Sequence, residues 1–198
     1  MRQNKLMWIG LGVLSLLILA LFLFQTPYQF KGSVIEQTYE APEIVLVDSE
    51  GQTFDLKEQK GKIVLLFFGY AACPDVCPTS LSDLKKTMNY LEEDAEMVQV
   101  VFITIDPDRD TPENIQKYTS LFNPNFLGLS GSFEELEPIW QGYGVYRKID
   151  EESRSESGYL VDHSSRTYLI DQEGNLKITF NYGTDPKDVA ADIAQLLK

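Results

Sequence analysis

Two adjacent stretches decide the fold: Ile63-Val-Leu-Leu-Phe-Phe-Gly69 and, shortly after it, Cys73-Pro-Asp-Val-Cys77-Pro78. The first is a continuous apolar run, which is typical of a strand buried on both faces of a sheet. The second contains the only two cysteines of the chain and leads into an amphipathic stretch from Pro78 to about Glu92. The sequence therefore predicts a strand that delivers two thiols to the start of a helix, where the helix dipole favours a thiolate.

Strand-like and helix-like segments alternate on either side of these stretches. The further predicted strands are 43–48 paired with 53–56, then 97–105, 126–129 and 145–149, and finally 166–171 paired with 175–180. The further predicted helices are 112–122, 133–143 and 186–198, with capping residues Asp110 and Glu113, Ser132 and Glu135, and Asp185. The polar stretch 150–158 predicts a loop. This order predicts an α/β domain with a thioredoxin-like fold and an N-terminal hairpin.

The N-terminal part of the chain contains 18 consecutive residues without a charge, Met7 to Phe24. As a helix this run would span about 27 Å, close to the hydrocarbon thickness of a bilayer. Arg2 and Lys5 precede it, so the positive-inside rule predicts a cytoplasmic N-terminus and an extracytoplasmic C-terminal domain. We predict a cytoplasmic N-terminus at 1–6, a single-pass transmembrane anchor at 7–24, a linker at 25–40 and the thioredoxin-like domain at 41–198.

A cleaved signal peptide is the alternative interpretation of this apolar run. Its apolar region would be shorter, and a small-x-small cleavage site would follow. Here the run ends in bulky residues, Leu21-Phe-Leu-Phe24, and no cysteine lies nearby for lipid attachment. A retained anchor in the cell membrane is therefore the better prediction, with the domain in the periplasm or on the outer face of the membrane.

The size and the net charge of the chain limit its domain count and the classes of partner that it can bind. At 198 residues and 43% hydrophobic content, the chain predicts one domain with a full core in addition to the anchor. A net charge of −13 argues against binding to nucleic acid or to anionic lipid through charge.

Cys73 and Cys77 are separated by three residues, a spacing that permits either a disulfide or two sulfur ligands to one metal ion. A purely structural disulfide is the weaker reading, because closing so short a loop constrains the unfolded chain little. Two cysteines alone cannot hold an iron–sulfur cluster, and structural zinc requires four protein ligands. The one histidine of the chain, His163, would complete a Cys2His set that suits Cu(I). From the residues alone, that role for His163 stays open, because a lone histidine is more often a surface or hydrogen-bonded residue.

Two further groups of polar residues lie near these candidates in the sequence. Asp106-Pro-Asp-Arg-Asp-Thr111 follows a predicted strand at the end where α/β sites are built, and we expect it to form turns and a helix cap rather than to bind metal. Asp162 precedes His163, and it either orients the imidazole or is simply solvated.

Three motifs together resemble the Sco/SenC family of membrane-tethered, thioredoxin-fold copper proteins. They are Gly69-Tyr-Ala-Ala-Cys-Pro-Asp-Val-Cys-Pro78, Ile105-Asp-Pro-Asp-Arg-Asp-Thr111 and Tyr159-Leu-Val-Asp-His-Ser164, in the family's order. The resemblance implies that Cys73, Cys77 and His163 bind copper, as Cu(I) or Cu(II). It also implies a role in assembling the binuclear copper centre of cytochrome c oxidase, as copper donor, as thiol reductant, or both. The implied partners are the copper-bearing oxidase subunit and other copper chaperones or thiol reductants.

Two other functions compete with this expectation. An extracytoplasmic thiol–disulfide oxidoreductase would cycle Cys73 and Cys77 between dithiol and disulfide, but the Trp-Cys-x-Pro-Cys arrangement is missing. A peroxiredoxin-like peroxidase would require Thr-x-x-Cys and a suitably placed arginine. We therefore predict a metallochaperone rather than an enzyme, with thiol–disulfide reductase as the alternative.

Overall fold

A computed structural model describes residues 15, 27–37, 39–155 and 158–198. Within these residues the strands are β1 (Ser33–Val34), β2 (Val45–Val47), β3 (Thr53–Asp55), β4 (Ile63–Gly69), β5 (Val98–Thr104), β6 (Leu127–Leu129), β7 (Arg147–Ser155), β8 (Gly158–His163), β9 (Thr167–Ile170) and β10 (Leu176–Phe180). The α-helices are α1 (Val76–Leu91), α2 (Pro112–Ser120), α3 (Phe133–Gly142) and α4 (Pro186–Leu196), and 3-10 turns lie at Leu56–Gln59 and Glu92–Met97.

The centre of the domain is a six-stranded mixed sheet in the order β1-β10-β9-β4-β5-β6. Strand β4 is parallel to β5, starting from the pair Ile63 and Val98, and antiparallel to β9. Every residue of β4 is buried, as the apolar run predicted. Strands β2 and β3 form the separate N-terminal hairpin. The predicted mixed α/β architecture with its N-terminal hairpin is therefore confirmed.

Helix α1 begins two residues earlier than the sequence indicated, at Val76. Cys77 consequently lies in its first turn, and this side chain is fully buried together with Leu81 on the same helix. Helix α1 packs beside α4, and α2 packs beside the edge strand β6. The early start of α1 therefore fixes one thiol inside the core, at the carboxyl end of β4.

Residues 27–37, which the sequence predicted as part of a linker, lie on the domain. Strand β1 pairs with β10 in the main sheet. The buried Asp192 carboxylate of α4 accepts hydrogen bonds from the Tyr28 hydroxyl at 2.8 Å and from the backbone N–H groups of Lys31 and Gly32 at 2.9 Å. Burial raises the pKa of Tyr28 to about 12, and its bond to Asp192 acts in the same direction. Residues 28–34 are thus part of the folded unit.

The prediction of a loop at 150–158 is wrong, because residues 150–155 belong to strand β7 and residue 158 begins strand β8. The two strands form a sheet of their own, with Ile149 opposite Val161 and Arg147 opposite His163. Most of β7 is exposed, so its sequence carries no apolar alternation that would have marked it as a strand. His163, the last residue of β8, therefore lies on a hairpin outside the main sheet.

The predicted helix caps are partly confirmed. Ser132 and Glu135 form the expected capping box of α3, and the Asp185 side chain caps α4 by accepting from the Lys187 N–H. The prediction for α2 is wrong, since Thr111 is its N-cap and accepts from the Asn114 N–H. Asp110 instead lies in the core, where its carboxylate has other partners.

The predicted anchor at 7–24 lies, apart from Ser15, outside the described residues. Among the residues that the structure describes, no helix has the length and apolar character needed to cross a membrane.

Candidate metal centre

The site begins at Gly69, the last residue of β4. An ideal Cβ built at this glycine would lie 2.7 Å from Cys77 Sγ and 2.8 Å from the Phe102 ring. These separations are too short for any real side chain, so a glycine is required here by close approach rather than by backbone conformation. The end of β4 thus provides the space in which the Cys77 sulfur lies.

Cys73, Cys77 and His163 are brought together, with their ligand atoms all within 4.8 Å of one another. Cys77 Sγ lies 3.6 Å from His163 Nε2, and the Cys77 backbone N–H donates to Cys73 Sγ at 3.4 Å. Both cysteines are free thiols; Cys77 is fully buried and Cys73 is half-buried. This is the one cluster among the described residues in which three such side chains can hold a metal ion. A partner can reach it from the Cys73 side.

The His163 ring is oriented by its surroundings. Its Nδ1 lies 2.8 Å from the Ser164 carbonyl oxygen, which can only accept a hydrogen bond, so Nδ1 carries the proton. The Nε2 lone pair is then directed at the sulfurs, which is the arrangement that a metal-binding imidazole needs. Phe67 and Tyr70 contact the ring edge to face, with centroids 6.4 and 5.9 Å away. The adjacent Asp162 is exposed, and the Ser164 carbonyl performs the orienting role that the sequence left open.

The two thiols have opposite electrostatic environments. The pKa of Cys73 is lowered to about 3, chiefly because its thiolate accepts a hydrogen bond from Cys77, and backbone N–H groups act in the same direction. The same bond raises the pKa of Cys77, which donates it, and burial acts in the same direction. The pair therefore holds one proton, with a thiolate at the accessible Cys73 and a thiol at the buried Cys77.

Residues of the 105–111 motif border the site without contributing ligand atoms to the cluster. Buried Asp110 accepts a hydrogen bond from the Thr104 hydroxyl at 2.7 Å and one from the Ala71 N–H at 3.1 Å, next to the cysteine loop. Burial raises its pKa. Asp106, also fully buried, binds Arg109 and the Tyr159 hydroxyl. The predicted turns and helix cap are confirmed, since residues 107–109 form a turn and Thr111 caps α2. The bond between Asp106 and Tyr159 was not predicted, because the two residues lie 53 positions apart.

The fold and these three side chains define a thioredoxin-like α/β domain with a Cys2His cluster able to hold a soft metal ion. The SCO1/SenC family model matches residues 33–198, and the chain belongs to this family.

Relatives and solved structures agree with this assignment. The "SCO2-like protein" of Rickettsia felis is 34% identical over 182 residues, which cover 91% of this chain and 88% of the relative. The structure of Bradyrhizobium japonicum ScoI with copper bound is 37% identical, with a TM-score of 0.72 over 80% of this chain and 99% of that one. The solution structure of apo Sco1 from Thermus thermophilus is 36% identical, with a TM-score of 0.76 over 85% and 98% of the two chains.

Proposed function

We propose that this protein is a copper-binding assembly factor, which delivers copper to the binuclear copper site of cytochrome c oxidase, reduces the cysteines of that site, or does both. The observation that carries the proposal is the convergence of two sulfurs and one imidazole nitrogen within 4.8 Å. Thiolate and imidazole donors suit Cu(I) and Cu(II), whereas structural zinc would require a fourth protein ligand. The copper-bound relative from Bradyrhizobium japonicum shares this fold at 37% identity and supports the same metal here.

The ligands are Cys73, Cys77 and His163, and copper is their cargo. Cys73 already carries a thiolate at neutral pH and is the accessible sulfur, so it is the first ligand to meet an incoming ion. Cys77 must lose its proton before it can bind, so loading releases a proton. Release to the oxidase then proceeds by ligand exchange with thiols of the copper-bearing subunit, starting at Cys73 because the Cys77 sulfur is enclosed.

Thiol reduction is the second candidate function, and the opposed pKa shifts of the two thiols favour it. The Cys73 thiolate would attack one sulfur of a disulfide in the partner, forming a mixed disulfide and releasing the first partner thiolate. Cys77 would then lose its proton and attack Cys73, which releases the second partner thiolate. The partner gains two electrons, and Cys73 and Cys77 become a disulfide. His163 is not required for these steps.

We also propose that residues 7–24 anchor the protein in the cell membrane with the N-terminus in the cytoplasm. The basis is the uncharged run with Arg2 and Lys5 before it. Since Tyr28 is already bound to Asp192 on the domain, few residues join the anchor to the folded unit. Four Cα–Cα steps separate 24 from 28 and span at most about 14 Å. The site would therefore work close to the membrane surface, where its proposed membrane-bound target lies. Protease treatment of spheroplasts tests this, because protection of a C-terminal tag would contradict it.

The functional experiment compares a deletion strain with strains that carry His163→Ala or the double variant Cys73→Ser, Cys77→Ser. The deletion should lower cytochrome c oxidase activity in copper-poor medium, and added copper should partly restore it. If copper delivery dominates, His163→Ala should behave like the double cysteine variant. If thiol reduction dominates, His163→Ala should behave like the wild type. A deletion strain with fully metallated oxidase in copper-poor medium would contradict both roles.

A further inference from the structure

The hairpin that carries His163 is connected to the rest of the domain by few polar contacts. Strands β7 and β8 hydrogen-bond to each other and not to the six-stranded sheet. The backbone of β8 is therefore not hydrogen-bonded into the sheet that positions the cysteines. Besides the ring contacts with Phe67 and Tyr70, the contacts between the hairpin and the loop after β5 hold the imidazole near Cys77.

Two connections are present: Arg147 of β7 donates from Nε to the Ile105 carbonyl oxygen, and a cluster of three residues holds β8. The guanidinium of Arg109 pairs through Nε with the buried Asp106 carboxylate, and through Nη1 it donates to the Tyr159 carbonyl of β8 at 2.8 Å. The same guanidinium lies over the Tyr159 ring, 3.7 Å from its centroid. The Tyr159 hydroxyl donates to Asp106 at 2.7 Å, which closes the network. Backbone, ring and hydroxyl of one β8 residue are thus all held by the Asp106–Arg109 pair.

The strength of this connection comes from its burial. Asp106 is fully buried, so its carboxylate depends on Arg109 and Tyr159 for compensation. A planar guanidinium can donate in two directions and stack at the same time, which a lysine cannot do. Tyr70, below the His163 ring, adds a hydrogen bond in which its hydroxyl accepts from the Val161 N–H at 3.2 Å.

We propose that Arg109, held by Asp106, is a positioning residue for His163: it fixes β8 against the loop after β5 and so keeps the imidazole in reach of the two sulfurs. This rests on the proposed copper ligation by His163, and it assigns to the 105–111 motif a role in that site without direct ligation. Residues that orient a metal ligand typically change metal affinity by about 10- to 100-fold when they are replaced.

The test uses Arg109→Gln and, because that variant leaves the Asp106 charge buried without its cation, also the pair Asp106→Asn with Arg109→Gln. Arg154→Gln is the matched control. Arg154 also lies over the Tyr159 ring, at 4.8 Å, but it pairs with exposed Glu151 rather than with the loop after β5. Each variant is made with His163 present and with His163→Ala.

The first measurement is Cu(II) affinity, with the nitrogen splitting in the electron paramagnetic resonance spectrum as the sign of imidazole coordination. Arg109→Gln and the paired variant should weaken binding about 10-fold and diminish the nitrogen signal. In the His163→Ala background they should have no further effect, and Arg154→Gln should match the wild type in both. An equal loss with and without His163, or an unchanged nitrogen signal, would overturn the proposal.

The second measurement needs no copper. Amide hydrogen exchange in the metal-free protein should become at least about 10-fold faster at Val161, whose N–H bonds to the Tyr70 hydroxyl, while Leu65 in β4 keeps its wild-type rate. Faster exchange at Leu65 to the same degree would indicate general destabilisation and would contradict a positioning role. If the wild-type protein fails to bind copper, the proposed function fails, but this exchange measurement still decides whether Arg109 holds the hairpin.

Discussion

Replacing Gly69 with alanine inserts a methyl group where the Cys77 sulfur lies. The new Cβ would stand 2.7 Å from Cys77 Sγ and 2.8 Å from the Phe102 ring. Non-bonded heavy atoms prefer separations of about 3.5–4.0 Å, so both the sulfur and the ring must move, each by about 1 Å. Both side chains are fully buried, and overpacking of this kind lowers the free energy of unfolding by about 1–3 kcal/mol.

The same displacement should damage the metal centre. Ligands must stay within about 0.5 Å of a productive geometry, and Cys77 Sγ would exceed that limit. We expect Gly69→Ala to weaken copper binding by the reduced protein at least about 10-fold. Competition with a chromophoric Cu(I) chelator measures the affinity, and urea unfolding of the metal-free protein measures the stability.

Gly128→Ala is the matched control for instability. Its Cβ would lie 2.6 Å from the Ile115 carbonyl oxygen, on the edge strand β6. This variant should be destabilised and yet, where folded, bind copper with wild-type affinity. The reasoning is refuted if Gly69→Ala binds copper as tightly as the wild type, or if folded Gly128→Ala loses affinity to the same extent.

Three further perturbations test other parts of the structure. Because the pKa of Cys73 is about 3, the rate of its alkylation by iodoacetamide should be nearly constant between pH 5 and pH 8. An ordinary thiol with a pKa of about 8.5 would react about 10-fold faster with each pH unit. A tenfold rise in rate per pH unit would contradict the thiolate assigned to Cys73. Asp192→Ala removes the acceptor for Tyr28, Lys31 and Gly32. It should lower the free energy of unfolding by about 2–4 kcal/mol and make the peptide bond after Lys31 accessible to trypsin. Continued protection of that bond from trypsin would contradict the docking of this segment. Mild oxidation should remove two hydrogens from the reduced protein by forming a disulfide between Cys73 and Cys77. Copper loading should prevent this oxidation, since the disulfide and the copper complex use the same sulfurs. Equally tight copper binding by the oxidised form would place the metal at another site.

The parts of the fold that local sequence determines were predictable. The apolar run 63–69 required a buried central strand, and Ser132 with Glu135 fixed the start of α3 through contacts three residues apart. The cysteine spacing indicated the chemistry but not the geometry. The start of α1 at Val76 places the Cys77 sulfur in the space beside Gly69, a distant contact that the cysteine spacing does not indicate.

The features that sequence reasoning missed depend on partners far apart in the chain. Asp192 binds residues that lie 160 to 164 positions away, so part of the predicted linker is a docked segment. Strand β7 is mostly exposed and charged, so nothing in its own pattern distinguishes it from a loop. Asp110 is a residue type that often caps helices, so its sequence position suggested a cap. Only the structure shows that it is buried beside Thr104 and accepts a hydrogen bond from the Ala71 N–H in the loop before Cys73. The proposed role of His163 as a ligand likewise rests on resemblance rather than on spacing.

X-ray absorption at the copper edge is the measurement that tests the Cys2His centre most directly. The reduced protein, loaded with one equivalent of copper, should show two sulfur neighbours and one nitrogen neighbour of the imidazole type. His163→Ala should lose the imidazole scattering and keep both sulfurs, and the double variant Cys73→Ser, Cys77→Ser should lose the sulfur scattering together with tight binding. A wild-type spectrum without sulfur neighbours, or full copper occupancy in the double cysteine variant, would contradict the account.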